Sequence, residues 1–302
     1  MPQTLSQIGE FGLINHLRKQ IGRPASVVKG IGDDAAVVPL SSQKYLLLTA
    51  DMLVEGSHFT AKTPARAVGH KAVACSVSDI AAMGGVPKYA VISLGAPPTL
   101  KTDFITQLYE GMQVTAKECG VAIVGGDTVR SHKIIVNVAM TGEVAKRELV
   151  TRGGAHAGDL IFVTGPLGRS LQSGWHLWFT PRLAQAQFLV RQFKPTAMID
   201  ISDGLAADLG HILEESRAGA VLDQRSIPLR DGATLRDALQ DGEDFELLFT
   251  LSPGKARKLQ RLHKKGYFFR HIGIIAGRPK SLQLKSADGT LKKLSLKGYA
   301  HF

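Results

Sequence analysis

Apolar residues recur every three or four positions between residues 4 and 21 (Ile8, Phe11, Ile14, Leu17, Ile21), which predicts an amphipathic helix. Val27 then leads into a glycine-flanked turn. Two apolar runs over 35–39 and 44–50, separated by Ser41-Ser42-Gln43, predict a hairpin. Asp51 follows the second run, at the kind of strand end where open α/β sheets place ligand groups. From Pro64 to Met83, the positions Val68, Ala72, Cys75, Asp79 and Ala82 fall at spacings of four, three, four and three. They share one helix face, so Asp79 sits on the apolar side and not the wet one. Gly84-Gly85 ends that helix. A strand over 89–94, a helix over 102–119 closed by Gly120, and strands over 121–124 and 134–141 complete the first half.

Between Arg147 and Gly158 the chain turns polar and glycine-rich, which marks a domain boundary and divides it into 1–152 and 153–302. The second half opens with a strand over 159–164. A helical stretch with Trp175 and Trp178 leads to Ala197–Leu205, a strand-to-helix junction. Ser202 suits an N-cap there, and Leu205, Leu209, Ile212 and Leu213 make a buried helix face. Strands follow over 220–222, 245–251 and 268–275, and a last hairpin turns at Ala287-Asp288-Gly289. The fold class is α/β with α+β character, in two domains.

Composition narrows the partners without choosing one. The chain has 302 residues, 44% hydrophobic and 21% charged, an ordinary globular balance. The net charge of +11 favours anionic partners. The two cysteines, Cys75 and Cys119, occupy apolar helical positions and read as core residues, and their number excludes a disulfide framework. Neither a signal pattern nor an apolar run of membrane length is present, so a cytoplasmic enzyme with no membrane partner is expected. The basic stretch Lys255, Arg257, Lys258, Arg261, Lys264 and Lys265 is the candidate for nucleic acid. With Leu259 and Leu262 turned inward it reads as a solvated helix face, and no nucleic-acid partner is expected. His70, His156 and His211 show no ligand spacing and read as surface or capping residues.

The aspartates carry the chemistry. Gly30-Ile31-Gly32-Asp33-Asp34-Ala35 puts two adjacent carboxylates in a turn, and Asp51, Asp79, Asp127, Asp200 and Asp203 recur at strand ends or on a small-residue helix face. At about 4 Å two carboxylates repel by about 4 kcal/mol at an effective dielectric of about 20. If they converge, cations must hold them, whereas a structural salt bridge is the alternative for Asp79 alone. Gly125-Gly126-Asp127-Thr128 lets backbone amides approach an anion while Asp127 takes a metal bridging it. Asp200 and Asp203 stand at a helix entrance, where the positive dipole end favours both carboxylates and phosphate. Oxygen-only ligands of this kind suit Mg2+ carrying nucleotide phosphates. A dinucleotide reading of Gly30-x-Gly32-x-x-Ala35 fails because aspartates oppose a bare pyrophosphate and a hairpin replaces the βαβ unit. P-loop and protein-kinase signatures are absent.

These stretches resemble the thiamine-monophosphate kinase family. So do Thr49-Ala50-Asp51-Met52-Leu53-Val54-Glu55-Gly56-Ser57-His58-Phe59, Ser78-Asp79-Ile80-Ala81-Ala82-Met83-Gly84-Gly85, Asp200-Ile201-Ser202-Asp203-Gly204-Leu205, Gly242-Glu243-Asp244-Phe245-Glu246-Leu247 and the closing Gly298-Tyr299-Ala300-His301-Phe302. The matches run in family order over nearly the whole chain. The resemblance implies transfer of the γ-phosphoryl of ATP to thiamine monophosphate, giving thiamine diphosphate. It implies a homodimer whose N-terminal mixed sheets pair into a barrel, with a separate C-terminal α/β domain. By motif, Asp33, Thr49, Asp51, Asp79, Asp127, Asp200 and Asp203 would hold several Mg2+ ions. Asp33 is the ligand chosen from the opening turn, with Asp34 in support. Gly126, Asp127, Arg152 and Ser202 would contact ATP, and His58, Glu243 and Tyr299 the thiamine moiety. No residue is assigned as a general base. Ala50 stands where the family has a hydroxyl residue, so only its carbonyl remains as a ligand. Asp241 replaces a glycine, and the segments 168–195 and 228–241 are shorter than in the family. The rivals are another ATP-dependent synthetase of the same superfamily, such as aminoimidazole ribonucleotide synthetase, and a basic nucleic-acid-binding protein.

Overall fold

The computed structural model describes residues 4–262, 267–277, 281–296 and 298–299. The chain opens with α1 (Leu5–Ile21), which is broken at Gly9 (φ 66) and has no buried residue, so its apolar stripe is only partly covered. A hairpin follows, made of β1 (Ala36–Pro39) and β2 (Lys44–Val54). β2 is longer than the sequence predicts because all eleven residues pair with a later strand, which leaves Asp51 inside the strand and not at its end.

Helix α2 (Ala65–Ala82) is the centre of the first half. Nearly every residue in it is buried, so the wet face expected from its periodicity shrinks to Arg66 and half-buried His70 in its first turns. It lies between the first sheet, α3 (Thr102–Cys119), and elements of the second half. Gly69 and Gly111 allow α2 and α3 to touch backbone to backbone. A Cβ on Gly69 would stand 2.0 Å from the Leu108 carbonyl oxygen, and one on Gly111 2.1 Å from that of Arg66. β3 (Val86–Ala96) precedes α3, and β4 (Ala122–Arg130) and β5 (Ile135–Ala145) follow it. The sheet order is β1-β2-β5-β3-β4, antiparallel except for the β3–β4 edge. Odd residues of β2 turn inward toward α2 while Leu48 and Met52 are exposed on the other face.

The second half contains β6 (Leu160–Val163), the short helices α4 (Ser170–Ser173) and α5 (Trp175–Trp178), α6 (Leu183–Gln192), β7 (Ala197–Asp200), α7 (Leu205–Ser216) and β8 (Gly219–Asp223). Then come α8 (Leu235–Gln240), β9 (Leu247–Leu251), α9 (Pro253–Gln260), β10 (Arg270–Ala276), β11 (Leu282–Lys285) and β12 (Leu291–Lys293). Its sheet runs β12-β11-β8-β10-β6-β9-β7, with only β11–β8 parallel. β9 starts at Leu247 because Glu243 (φ 64) and Phe245 (φ 50) hold left-handed conformations that no strand accepts. Lys255, Arg257 and Lys258 lie on α9 with Leu259 buried, but Leu262 is exposed, contrary to the pattern; Lys264 and Lys265 lie outside the described residues.

The halves are stitched together. Arg18 and Lys29 both bind Glu215 at 2.9 Å, and Phe11 packs on His211. Gln187 donates to the carbonyls of Gly84 and Gly85. Among the described residues no helix is long and apolar enough to cross a membrane.

Candidate active site

Three elements converge where the two halves meet. The turn before β1 brings Asp34, α2 brings Asp79, and the end of β7 brings Asp200, with carboxylate oxygens within 4.8 Å of one another. Small hydroxyl residues orient this group. Ser78 donates to Asp200 Oδ2 at 2.6 Å, Thr49 donates to Asp79, and Ser76 donates to neighbouring Asp51 at 2.7 Å. Burial raises all four carboxyls. Asp34 and Asp200 are pushed up to about 6, and Asp51 is raised. Asp79 goes well above the usual carboxylate range, through burial first and then repulsion from Asp51, Asp200 and Asp34.

Arg152 is the one cation seen to bind directly to this group among the described contacts. Its Nη2 and Nε donate to Asp34 Oδ1 at 2.7 and 3.2 Å, while Asp34 Oδ2 is buried with no hydrogen-bond partner. An orphaned buried carboxylate oxygen beside two other raised carboxyls fits a hard cation with oxygen ligands, as Mg2+ requires.

Within the opening turn Asp34 enters the cluster, while Asp33 meets Lys29 Nζ at 3.3 Å and accepts from the Arg152 amide at 3.2 Å. Neighbouring side chains on one bend point apart, and only the long-range partners decide which goes inward.

Asp127 and Gly126 are not brought to the cluster within one chain. Gly125-Gly126-Asp127-Thr128 is part of β4 and not a turn after it. Asp127 pairs in register with Ser93, which is exposed between buried Ile92 and Leu94. It therefore lies on the outer face, whereas Asp51 faces α2. Asp51, Val138, Ile92 and Gly126 are successive cross-strand partners, which puts three strand spacings, about 14 Å, between Asp51 and Gly126. Gly126 has a packing reason of its own, since a Cβ there would meet the Ile92 carbonyl oxygen at 1.8 Å.

Beside the cluster lies a cavity of about 320 Å³. Ala50, Asp51, His58, Ser202, Asp203, Glu243 and Tyr299, all singled out in the sequence, line it together with apolar Met52, Leu53 and Phe245. His58 Nδ1 accepts from the Val54 amide at 3.1 Å, and the Tyr299 amide donates to the Asp203 carbonyl at 3.0 Å. Ala300–Phe302 of the closing motif lie outside the described residues. Asp203, raised to about 6 by burial and then by Glu10, also groups with Asp208 and His211. There Asp208 accepts from the Asp203 and Gly204 amides, and His211 is half-buried and lowered to about 4 by burial and Arg152. His211 is thus neither a surface nor a capping residue.

Sequence reasoning missed Lys71, Ser76 and Ser78. Lys71 is wholly buried and binds Glu243 at 2.5 Å. Its spacing of four from Cys75 and eight from Asp79 was the available signal, since it puts all three on one face of α2.

Residues 32–144 match the family described as AIR synthase related protein, N-terminal domain. The chain is 34% identical to the thiamine-monophosphate kinase of Aquifex aeolicus over 99% of both chains. It is 33% identical to that of Bacillus subtilis, over 97% of this chain and 99% of the other. Among solved structures it is similar to AaThiL complexed with AMPPCP and TMP, with a TM-score of 0.88, 32% identity and full coverage of both chains. The hydrogenase maturation protein HypE in complex with ATP is also similar (TM-score 0.71, 22% identity, 92% of this chain and 91% of the other), a likeness of fold alone.

Proposed function

The chain belongs to the thiamine-monophosphate kinase family, and from that premise we infer that it moves the γ-phosphoryl of ATP onto thiamine monophosphate to give thiamine diphosphate. The observation that carries this is the full-length structural similarity to a kinase complexed with AMPPCP and TMP, centred on a cleft with crowded carboxylates at one end and apolar walls at the other. The rival synthetase reading has the match of residues 32–144 to the AIR synthase related N-terminal domain in its favour, which the full-length identity to the kinases outweighs.

The chain's own part in the reaction is positioning and charge control. Donor and acceptor are both phosphates, so repulsion between anions dominates the barrier and little covalent help is needed. The acceptor oxygen is already anionic near neutral pH, which accounts for a site without a general base. Asp34, Asp79 and Asp200 would hold Mg2+, with Asp33 on the same turn, Asp51 beside them and Asp203 toward the cavity. Thr49 would act through Asp79, and Ala50 only through its carbonyl. Bound there, Mg2+ supplies the counter-charge and the template that align two phosphates in line. Arg152, now spent on Asp34, would turn to the nucleotide phosphates, with Ser202 at the entrance of α7 beside it. His58, Glu243 and Tyr299 would take the thiamine moiety in the cavity.

We assign residues 1–152 to nucleotide binding and dimerisation and 153–302 to the second domain. The homodimer reading is supported by the outer face of the first sheet, where Leu48, Met52, Tyr89, Val91 and Val129 are all exposed. It also accounts for Gly126 and Asp127, which would join the site of a second copy. The direct test is incubation with ATP, Mg2+ and thiamine monophosphate. Thiamine diphosphate is the expected product; ATP hydrolysis that proceeds equally without the thiamine substrate would overturn the assignment.

A further inference from the structure

Lys71, Cys75 and Asp79 stand four residues apart on one face of α2. Asp79 belongs to the carboxylate cluster, Cys75 walls the cavity, and Lys71 carries Glu243 at the far end. Eight residues of helix separate the two ends by about 12 Å, the scale of a two-ring phosphomonoester. With the phosphate at the cluster, the ring remote from it lies against Glu243.

Glu243 is held from every side. Its backbone is left-handed (φ 64), its amide donates to the Ser202 carbonyl at 2.7 Å, and its carbonyl accepts from Ser170 Oγ at 2.5 Å. Lys71 Nζ, with no exposed surface, donates to the His58 carbonyl at 3.0 Å and to Glu243 Oε1 at 2.5 Å. Glu243 Oε2 is buried and has no hydrogen-bond partner. A buried ammonium is tolerated only when paired, and here its pairing occupies one carboxylate oxygen and leaves the other for a ligand. The pair carries no net charge, so this end of the cavity offers an acceptor and not a bare anion. An acceptor binds a ring bearing N–H and leaves a ring carbonyl in the same place opposed.

We propose that Lys71 is a positioning residue that fixes Glu243 as an acceptor, so that the site selects the amino-substituted pyrimidine of thiamine monophosphate against its oxo-substituted counterpart. This rests on thiamine monophosphate being the substrate. The test compares kcat/KM for thiamine monophosphate and oxythiamine monophosphate in the full-length protein, reading the diphosphate product of each. The natural chain favours the amino substrate by on the order of 10⁴-fold. In Glu243→Gln, Lys71 takes the amide oxygen and turns the NH2 group toward the ligand, so the ratio falls at least about 100-fold. In Lys71→Met/Glu243→Gln the amide is free to turn, and the ratio recovers at least about 10-fold over Glu243→Gln. Should Lys71→Met not fold, Lys71→Arg keeps a donor on the same oxygen and retains a ratio within about 10-fold of the natural chain. A Lys71 that only supports the fold lowers both substrates alike and leaves Lys71→Met/Glu243→Gln at the ratio of Glu243→Gln, which overturns the proposal. A natural chain that makes no thiamine diphosphate refutes instead the assigned activity.

Discussion

Two acidic regions of this molecule use the same side chains in opposite ways. In Gly242-Glu243-Asp244-Phe245-Glu246 each acid has its own cation: Lys71 at 2.5 Å, Arg230 at 2.9 Å and Arg182 at 2.5 Å respectively. Trp175 lies under both arginines and donates to the Asp244 carbonyl, so the segment is pinned even though two of its residues are left-handed. Burial still lifts Asp244 to about 6, against the Gly168 amide and Arg230. In the Asp34–Asp79–Asp200 cluster, among the described residues, Arg152 pairs with Asp34 and no cation pairs with Asp79 or Asp200, and one Asp34 oxygen is orphaned. Paired acids shape a wall; crowded acids store repulsion that an added cation relieves. What a carboxylate does here depends on how many cations the fold has already given it.

The contrast can be broken most severely at its centre. Asp79→Asn is expected to lower thiamine diphosphate formation by on the order of 10³-fold or more while the metal-free protein becomes no less stable, since a repelling charge is gone. Near-normal turnover would refute the metal reading. The same substitution tests the proposed pairing of two copies. Neither Asp79→Asn nor Asp127→Asn homodimers should turn over, yet co-refolding the two should restore part of the activity, because one mixed site then has both aspartates. No recovery would place Asp127 in its own chain's site.

In the paired region, Arg182→Met leaves Glu246 buried without its cation, and urea unfolding should register a loss of about 3–5 kcal/mol. The pH response has the same sign in both regions, since Asp244 is also raised to about 6, and Mg2+ is what separates them. Asp34 and Asp200 are raised from 3.8 to about 6 in the folded chain, so folding favours their protonated form. Metal-free stability should then decline as pH rises from about 4 through about 6, and Mg2+ should raise the melting temperature more at neutral pH than at pH about 5. The smallest effect is expected for Ser78→Ala, which removes only the donor that orients Asp200; a loss of about 10–100-fold in turnover is predicted, with the Mg2+ requirement shifted to higher concentration.

Periodicity alone placed α2, α3 and α7 and the strands on either side of them, because a helix or strand that buries one face writes its repeat into neighbouring residues. The glycine–aspartate stretches likewise announced oxygen ligands before any fold was known. Three things were not written locally. Asp33 and Asp34 are chemically identical neighbours, and only contacts with Lys29, Arg152, Asp79 and Asp200 decide which one faces the cluster. Gly125-Gly126 reads as a phosphate turn, yet pairing with β3 makes it strand and turns Asp127 outward. Its helix face aside, nothing local singles out Lys71; its role comes from the burial of nearly all of α2 and from Glu243, 172 residues away. Local pattern was enough for most of the elements, the family and the supply of carboxylates. The tertiary structure decided which of them face one another and which are neutralised, because the energy of a buried charge is set by neighbours that chain order does not specify.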